Sequence, residues 1–218
     1  VDMAVAARRK FRREGEERRR QDLIEATLDC VAEHGLQGAT VRAIALRAGV
    51  TAGLIRHYFP GKEELLQAAY VTVMERMTEL AKTALATVEH EPGRRLAAFV
   101  AANLAPPVVD TGTFSIWASF IGRAGSDPAL GIAHRAGYLG FRDEVETLVA
   151  DALASSGRHA SPAELRRLAI AVNAVIDGLW LEGCLAGDMF ETGELAEIGI
   201  GSVEAMLGLR LRGEREVA

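Results

Sequence analysis

TVRAIALRAGVTAGLIRHYFPGKEEL, from Thr40 to Leu65, is the stretch whose reading decides the fold of this chain. It reads as two short helices meeting at a tight turn. The Thr40 hydroxyl caps the first helix by accepting from a free amide at its start. Ile44, Ala45 and Ala48 fall on one face, and Ala45 is small where two helices cross closely. Gly49 stands where the first helix must stop, because glycine enters the left-handed region without a Cβ clash. Thr51 caps the second helix, whose Leu54, Ile55 and Tyr58 recur at helical spacing and pack back onto Ile44 and Ala48. The pattern is that of a helix-turn-helix, which lays its second helix in the major groove of DNA.

The outward-facing residues suit that use. Thr40, Arg42, Thr51, Ala52, Gly53, Arg56, His57, Tyr58 and Lys62 are the candidate DNA contacts. Arginine pairs with guanine O6 and N7 at once. Lys62, at the start of the next helix, adds charge to a positive helix end and suits a phosphate. The competing reading of the block is an ordinary helical hairpin in an all-α core.

Working outward, the 218 residues suffice for one large or two small domains, and 49% hydrophobic with 25% charged residues fits a folded globular chain. The net charge of −5 is unevenly spread: residues 1–62 hold 12 Lys+Arg against 8 Asp+Glu, and the remainder holds 13 against 22. Local charge governs DNA binding more than the total. The two cysteines, Cys30 and Cys184, have neither metal-type nor redox-type spacing. A reduced, cytoplasmic protein is the expectation. No apolar run reaches the roughly 18 residues of a membrane span, and no signal core opens the chain. The five histidines show no ligand spacing and no nucleotide-binding glycine pattern occurs, so neither a metal nor a cofactor is expected and an enzyme is disfavoured.

The expected fold is all-α: an N-terminal three-helix helix-turn-helix domain and a C-terminal helical-bundle domain for ligand binding and dimerisation. Residues 1–15 read as a disordered basic arm that reaches for DNA, 16–62 as the DNA-binding domain, 63–212 as the ligand-binding and dimerisation domain, and 213–218 as a tail. A helix spans about Glu16 to His34, ended by Gly35. Arg18, Arg19 and Arg20 lie near its start, where cations oppose the helix dipole. DNA phosphates, or Glu16 and Glu17, would compensate. A long helix runs from about Lys62 to Glu89 with Leu66, Ala69, Val73, Met77, Leu80, Ala84 and Val88 as its stripe. Further helices cover Leu96 to Leu104, Asp110 to Arg123, Pro128 to Ser155, Ser161 to Ala186 and Thr192 to Leu211. Asp127 and Ser161 are read as caps, each with proline at the first helical position.

The block AGVTAGLIRHYFPGKEELL resembles the DNA-binding signature of the TetR family of bacterial transcriptional repressors. Its glycine, Tyr-Phe and Lys-x-x-Leu elements occur together in order. Two further segments, Phe114-Ser-Ile-Trp-Ala-Ser-Phe120 with Asp127-Pro-Ala-Leu130, and Val175 to Asp188 with its IDGLW run, resemble the C-terminal domain of BetI-type members, the choline-responsive repressors of glycine betaine synthesis genes. The resemblance covers about Arg18 to Leu209. It implies a homodimer on a double-stranded operator, released by a small-molecule effector whose identity the sequence does not give. It also implies a four-helix dimer contact on about Asn173–Ala186 and Ala196–Leu207, with Gly178, Gly183, Gly187, Gly199 and Gly201 serving close crossings. Two positions depart from the pattern. Arg56 and His57 stand where many members carry aromatic residues, which suggests that Arg56 reads a guanine. Ile121 stands where BetI-type proteins tend to carry a second tryptophan.

Phe114, Trp117, Phe120, Ile121, Tyr138, Asp177 and Trp180 are the candidate effector contacts. Aromatic faces attract quaternary ammonium cations by about 0.5–2 kcal/mol per ring, and Asp177 or Glu182 would neutralise the charge. With one wall of such a cage absent, a larger or less polar effector fits as well, and core packing competes for both tryptophans. The alternative function is a constitutive DNA-binding protein whose C-terminal half only dimerises.

Overall fold

The computed structural model describes residues 2–86, 88 and 91–212, with side chains from Gly15 onward. Among these residues the regular elements are helices: α1 (Asp2–Gly38), α2 (Val41–Arg47), α3 (Ala52–Tyr58), α4 (Lys62–Ala86), α5 (Pro92–Asn103), α6 (Thr111–Ala124), α7 (Pro128–Ser155), α8 (Pro162–Ala186) and α9 (Glu194–Leu207), with a single 3₁₀ turn at Gly187–Met189. The expected all-α class is the observed one. The chain divides into two compact units. The first comprises the residues up to Val73 and Ser115–Ala133, and the second comprises Met74–Phe114 and the residues from His134 onward.

In the first unit, Leu23, Ile24, Thr27, Leu28, Cys30 and Val31 are buried at three- and four-residue spacing on α1. The one polar member, Thr27, donates its hydroxyl to Leu23 O at 2.7 Å. Ile44, Ala45, Ile55 and Phe59 bury the inner faces of α2, α3 and the turn after them, and Leu65, Leu66, Ala69, Tyr70 and Val73 bury the start of α4. Tyr70 meets Phe120 of α6 with ring centroids 5.0 Å apart.

In the second unit, α9 packs along both α5 and α8. Leu96, Phe99, Val100 and Leu104 of α5, Val172, Ile176 and Trp180 of α8, and Leu195, Ile200, Val203 and Leu207 of α9 are buried there. Two glycines allow the close approach. A Cβ on Gly199 would collide with Leu104 Cδ1, and one on Gly183 would lie 2.8 Å from Val109 Cγ1. Both caps read from the sequence are present: Asp127 Oδ1 accepts from Ala129 N at 3.1 Å, and Ser161 Oγ accepts from Glu164 N at 3.3 Å.

Several expectations are corrected. The first helix begins at Asp2 rather than near Glu16, so the expected disordered arm is helical backbone through residue 14. Alanine, arginine, lysine and glutamate dominate that run, and no glycine or proline interrupts it before Gly15. Arg18 to Arg20 therefore lie well inside α1, and the helix dipole gives no reason for a compensating anion there. Gly35 does interrupt the helix, with φ 67° and ψ 175°, and one further turn reaches Gly38. The stripe of α4 follows steps of four beyond Val73. Ala81 and Leu85 are buried while Leu80 is exposed, because a straight helix drifts from a seven-residue repeat. The last helix stops at Leu207, before the left-handed Gly208, rather than at Leu211.

Pro162–Met189 is long and apolar enough to cross a membrane by length and composition, although Asp177 and Glu182 interrupt its apolar run. Its Ala169, Val172, Ile176 and Trp180 are buried within the second unit. Of the five glycines read as dimer crossings, Gly183 and Gly199 serve crossings within the protomer, whereas Gly178, Gly187 and Gly201 have no neighbour in the way of a Cβ. The side chains of the N-terminal arm, Thr87, Glu89, His90 and the tail 213–218 lie outside the described residues, and with them the arm's expected contact with DNA.

Candidate nucleic-acid interface and effector residues

Two threonines set the geometry of α2 and α3. Thr40 Oγ1 accepts from Ala43 N at 3.1 Å, and Thr51 Oγ1 accepts from Leu54 N at 3.3 Å. Gly49 turns the chain between them at φ 63°, and Val50 N returns to Ala45 O at 2.9 Å. With the inner faces buried, Thr40, Arg42, Thr51, Ala52, Gly53, Arg56 and His57 are exposed. A Cβ on Gly53 would meet only Thr51 Oγ1, at 3.8 Å, so the backbone of the first turn of α3 is open to close approach. Tyr58 is half-buried and stands edge-on to His57, centroids 5.1 Å apart. Lys62 Nζ donates to Leu36 O at 3.1 Å, which ties the start of α4 to the end of α1 and leaves further ammonium hydrogens for an anion.

The supports behind this face were not legible in the sequence. Arg47 pairs with Glu33 and, at 3.5 Å, with Asp29 of α1. The Arg20 guanidinium lies 5.0 Å over the Phe59 ring. Arg123 Nη2 donates to Glu63 Oε2 at 2.7 Å, joining the end of α6 to the first turn of α4. Each pairs positions far apart in the chain, where no local spacing rule applies. Burial pushes the Cys30 thiol pKa up, with Arg47 opposing, so this cysteine behaves as an inert core residue.

The candidate effector contacts fall in both units. Trp117, Phe120 and Ile121 belong to the first, where Phe120 is buried against Tyr70 and the other two are half-buried. Phe114, Tyr138, Asp177 and Trp180 belong to the second. Trp180 is buried, donates Nε1–H to Val108 O at 2.9 Å and has Phe114 at 5.8 Å. Its indole is thus fastened to the segment that leads into α6. Tyr138 and Asp177 are brought together by a residue that periodicity did not single out as a contact. Asn173 Nδ2 donates to Tyr138 Oη at 3.1 Å and to Asp177 Oδ2 at 2.7 Å. Desolvation raises the Asp177 carboxyl pKa, and the Asn173 amide opposes that shift. His134 stacks beside Tyr138, and burial lowers its pKa. Among the described residues, no cluster of metal-ligating side chains occurs.

Comparison with known proteins places these features. Residues 23–69 match the family profile described as bacterial regulatory proteins, tetR family, and residues 92–208 match that of the C-terminal domain of BetI-type transcriptional repressors. The HTH-type transcriptional regulator BetI of Burkholderia thailandensis is 31% identical over 88% of this chain and 95% of its own length. A putative transcriptional regulator of Pseudomonas aeruginosa PAO1 superposes with a TM-score of 0.80 at 34% identity, covering 88% of this chain and 91% of that one. A putative regulator from Saccharomonospora viridis, solved in complex with choline, shares the fold at TM-score 0.67 and 17% identity, over 87% of this chain and 95% of that one. With the capped helix pair and the matched C-terminal half in view, the chain belongs to the TetR family, BetI type, and is a DNA-binding regulator of transcription rather than an enzyme.

Proposed function

We propose that this regulator is a ligand-responsive repressor that holds a palindromic operator as a dimer in the cytoplasm and is released by a small-molecule effector. In this reading residues 16–62 bind DNA, and 63–212 bind the effector and dimerise. The carrying observation is the α2–α3 pair, fixed by two threonine caps and a left-handed glycine, with Arg42, Arg56 and His57 exposed. The DNA contacts are Thr40, Arg42, Thr51, Ala52, Gly53, Arg56, His57, Tyr58 and Lys62. Arg56 takes the base-reading role, because an exposed guanidinium on the second helix reaches guanine in the major groove.

Dimerisation is supported by the outer faces of α8 and α9, where Leu181, Leu185, Ile198 and Met206 are exposed in the protomer beside Gly178 and Gly201. An isologous contact there gives the two-fold symmetry that a palindrome requires. The candidate effector contacts are Trp117, Phe120 and Ile121 in the first unit and Phe114, Tyr138, Asp177 and Trp180 in the second. Choline-class cations and bulkier apolar cations are the first compounds to test. The effector must bind the released state more tightly than the DNA-bound state, or it shifts nothing.

Fluorescence anisotropy on the DNA upstream of the protein's own gene and on a scrambled duplex tests this reading. Tight binding to the upstream duplex alone, weakening steeply with salt and lost on effector addition, is expected. Selective binding that no compound relieves would favour the constitutive alternative, and equal weak binding to both duplexes would overturn the operator assignment.

A further inference from the structure

The α2–α3 pair is small, and little apolar surface fixes how it lies on α1. Ile44 and Ala45 are the buried residues of α2, and Ile55 is that of α3. Apolar burial is non-directional, so it presses two short helices against α1 without setting their roll. Directional contacts set it instead. Two of them follow α3: the Arg20 guanidinium 5.0 Å over the Phe59 ring, and Lys62 Nζ donating to Leu36 O at 3.1 Å.

On the α2 side the tie is Arg47, in the last turn of that helix. Its Nη2 donates to Glu33, and its Nη1 lies 3.5 Å from Asp29 Oδ2. The same guanidinium reaches the buried Cys30 thiol. Asp29 and Glu33 are one turn apart on α1, so the planar fork spans a full turn of the partner helix. The Arg47 side chain is 33% exposed, and its donors point to α1. α3 follows α2 as one piece, because Gly49 turns the chain at φ 63° and Val50 N returns to Ala45 O at 2.9 Å. A roll of α2 on α1 therefore swings Arg56 and His57 with it.

The partners of Arg47 give this role a distinctive sign. Asp29 and Glu33 are acids in the unit that carries the DNA-binding face. By charge alone, removing either one strengthens binding to any duplex. If the pair aims the helix, removing one strengthens general binding and weakens the reading of a particular sequence.

We propose that Arg47 is a positioning residue for sequence reading: engaged by Asp29 and Glu33 rather than by DNA, it fixes the roll of α2 on α1 and so the heading of α3 in the major groove. This rests on the assignment of α3 as the base-reading helix.

The test is anisotropy of the full-length protein on the upstream and scrambled duplexes, with the fold of each variant checked by circular dichroism. A single pH is kept, because His34 Nε2 lies 3.5 Å from the same Glu33 carboxylate. Glu33→Gln and Arg47→Met are each expected to lower the preference for the upstream duplex about threefold per protomer, the strength of an exposed ion pair. That is about tenfold where two copies read one operator. In Glu33→Gln the scrambled duplex should be bound more tightly and the upstream duplex less tightly. Exchanging the pair, Arg47→Glu with Glu33→Arg, leaves the total charge unchanged and should restore the preference. Glu33→Gln alters an exposed position and decides the matter even where an Arg47 variant fails to fold. Tighter binding of both duplexes by Glu33→Gln with the preference unchanged, as charge alone requires, overturns the proposal and leaves the repressor reading standing. A folded exchanged pair whose preference stays low overturns it too. An unaltered protein that prefers neither duplex removes both readings together.

Discussion

At the scale of single residues, Arg56 and Asp177 carry opposite kinds of burden. Arg56 is exposed and anchored only through its helix, so its replacement should leave the fold intact. Arg56→Ala is expected to weaken operator binding by about 1–3 kcal/mol and to relax the requirement at a single base pair. Anisotropy against a set of single-base operator variants shows this as a flattened preference at one position. Loss spread evenly over all variants would instead assign Arg56 to the phosphate backbone. Asp177 is exposed in the protomer, so solvent screens much of the disadvantage that its surroundings set, and the effect is small. Its carboxyl pKa is raised by desolvation, with the Asn173 bond opposing. A carboxyl whose folded pKa lies above its unfolded one stabilises the fold when protonated, and that contribution is lost as pH rises through the folded pKa. Asp177→Asn keeps an acceptor for Asn173 and removes the charge. It should therefore raise Tm at pH 7, with the gain shrinking on acidification and vanishing below the ordinary carboxyl range. A Tm difference that does not depend on pH would contradict the desolvation account.

At the scale of elements, the two kinds of glycine in α9 separate packing inside the protomer from packing outside it. A Cβ on Gly199 would run into Leu104 and lie 3.1 Å from Val100 Cγ1, whereas one on Gly201 meets nothing within 4 Å. Gly199→Ala is expected to lower stability by about 1–3 kcal/mol through overpacking. Gly201→Ala should raise the stability of the isolated protomer by up to about 1 kcal/mol through helix propensity, while loosening a dimer that packs closely there. Urea unfolding at low protein concentration, beside sedimentation at high concentration, reads the two effects apart. The same contrast shows what was legible beforehand. Thr40, Gly49, Thr51, Asp127 and Ser161 act on amides two to four residues away, or on their own backbone, so sequence spacing gave their roles. Spacing alone could not say which glycines serve the protomer's own crossings. Nor could it find Arg47 with Asp29 and Glu33, Arg123 with Glu63, or Asn173 with Tyr138, whose partners come from different helices. A string of cations suits a basic arm that reaches for DNA, the expectation for the N-terminal run. Its residues are also strong helix formers, and the backbone follows that propensity.

At the scale of the whole molecule, function turns on whether two copies act together. One helix-turn-helix offers few donors, and an overall charge of −5 gives little general attraction to DNA. Pairing two reading heads makes the second contact intramolecular, which raises affinity without any new kind of bond. The outer faces of α8 and α9 are the surface with the composition for such a pairing, and Leu185, 64% exposed, is a conspicuous apolar side chain on α8. Leu185→Glu places a charge there without touching the protomer's buried core. The expected outcome is a folded monomer by circular dichroism and sedimentation equilibrium, with operator affinity lower by about a hundredfold or more. Because each protomer neutralises its own phosphates, the slope of log K against log salt should fall to roughly half. A dimer that persists in Leu185→Glu would move the interface away from this face. A monomer that binds the operator with unchanged affinity and salt slope would show that one reading head suffices, and the palindrome would lose its reason.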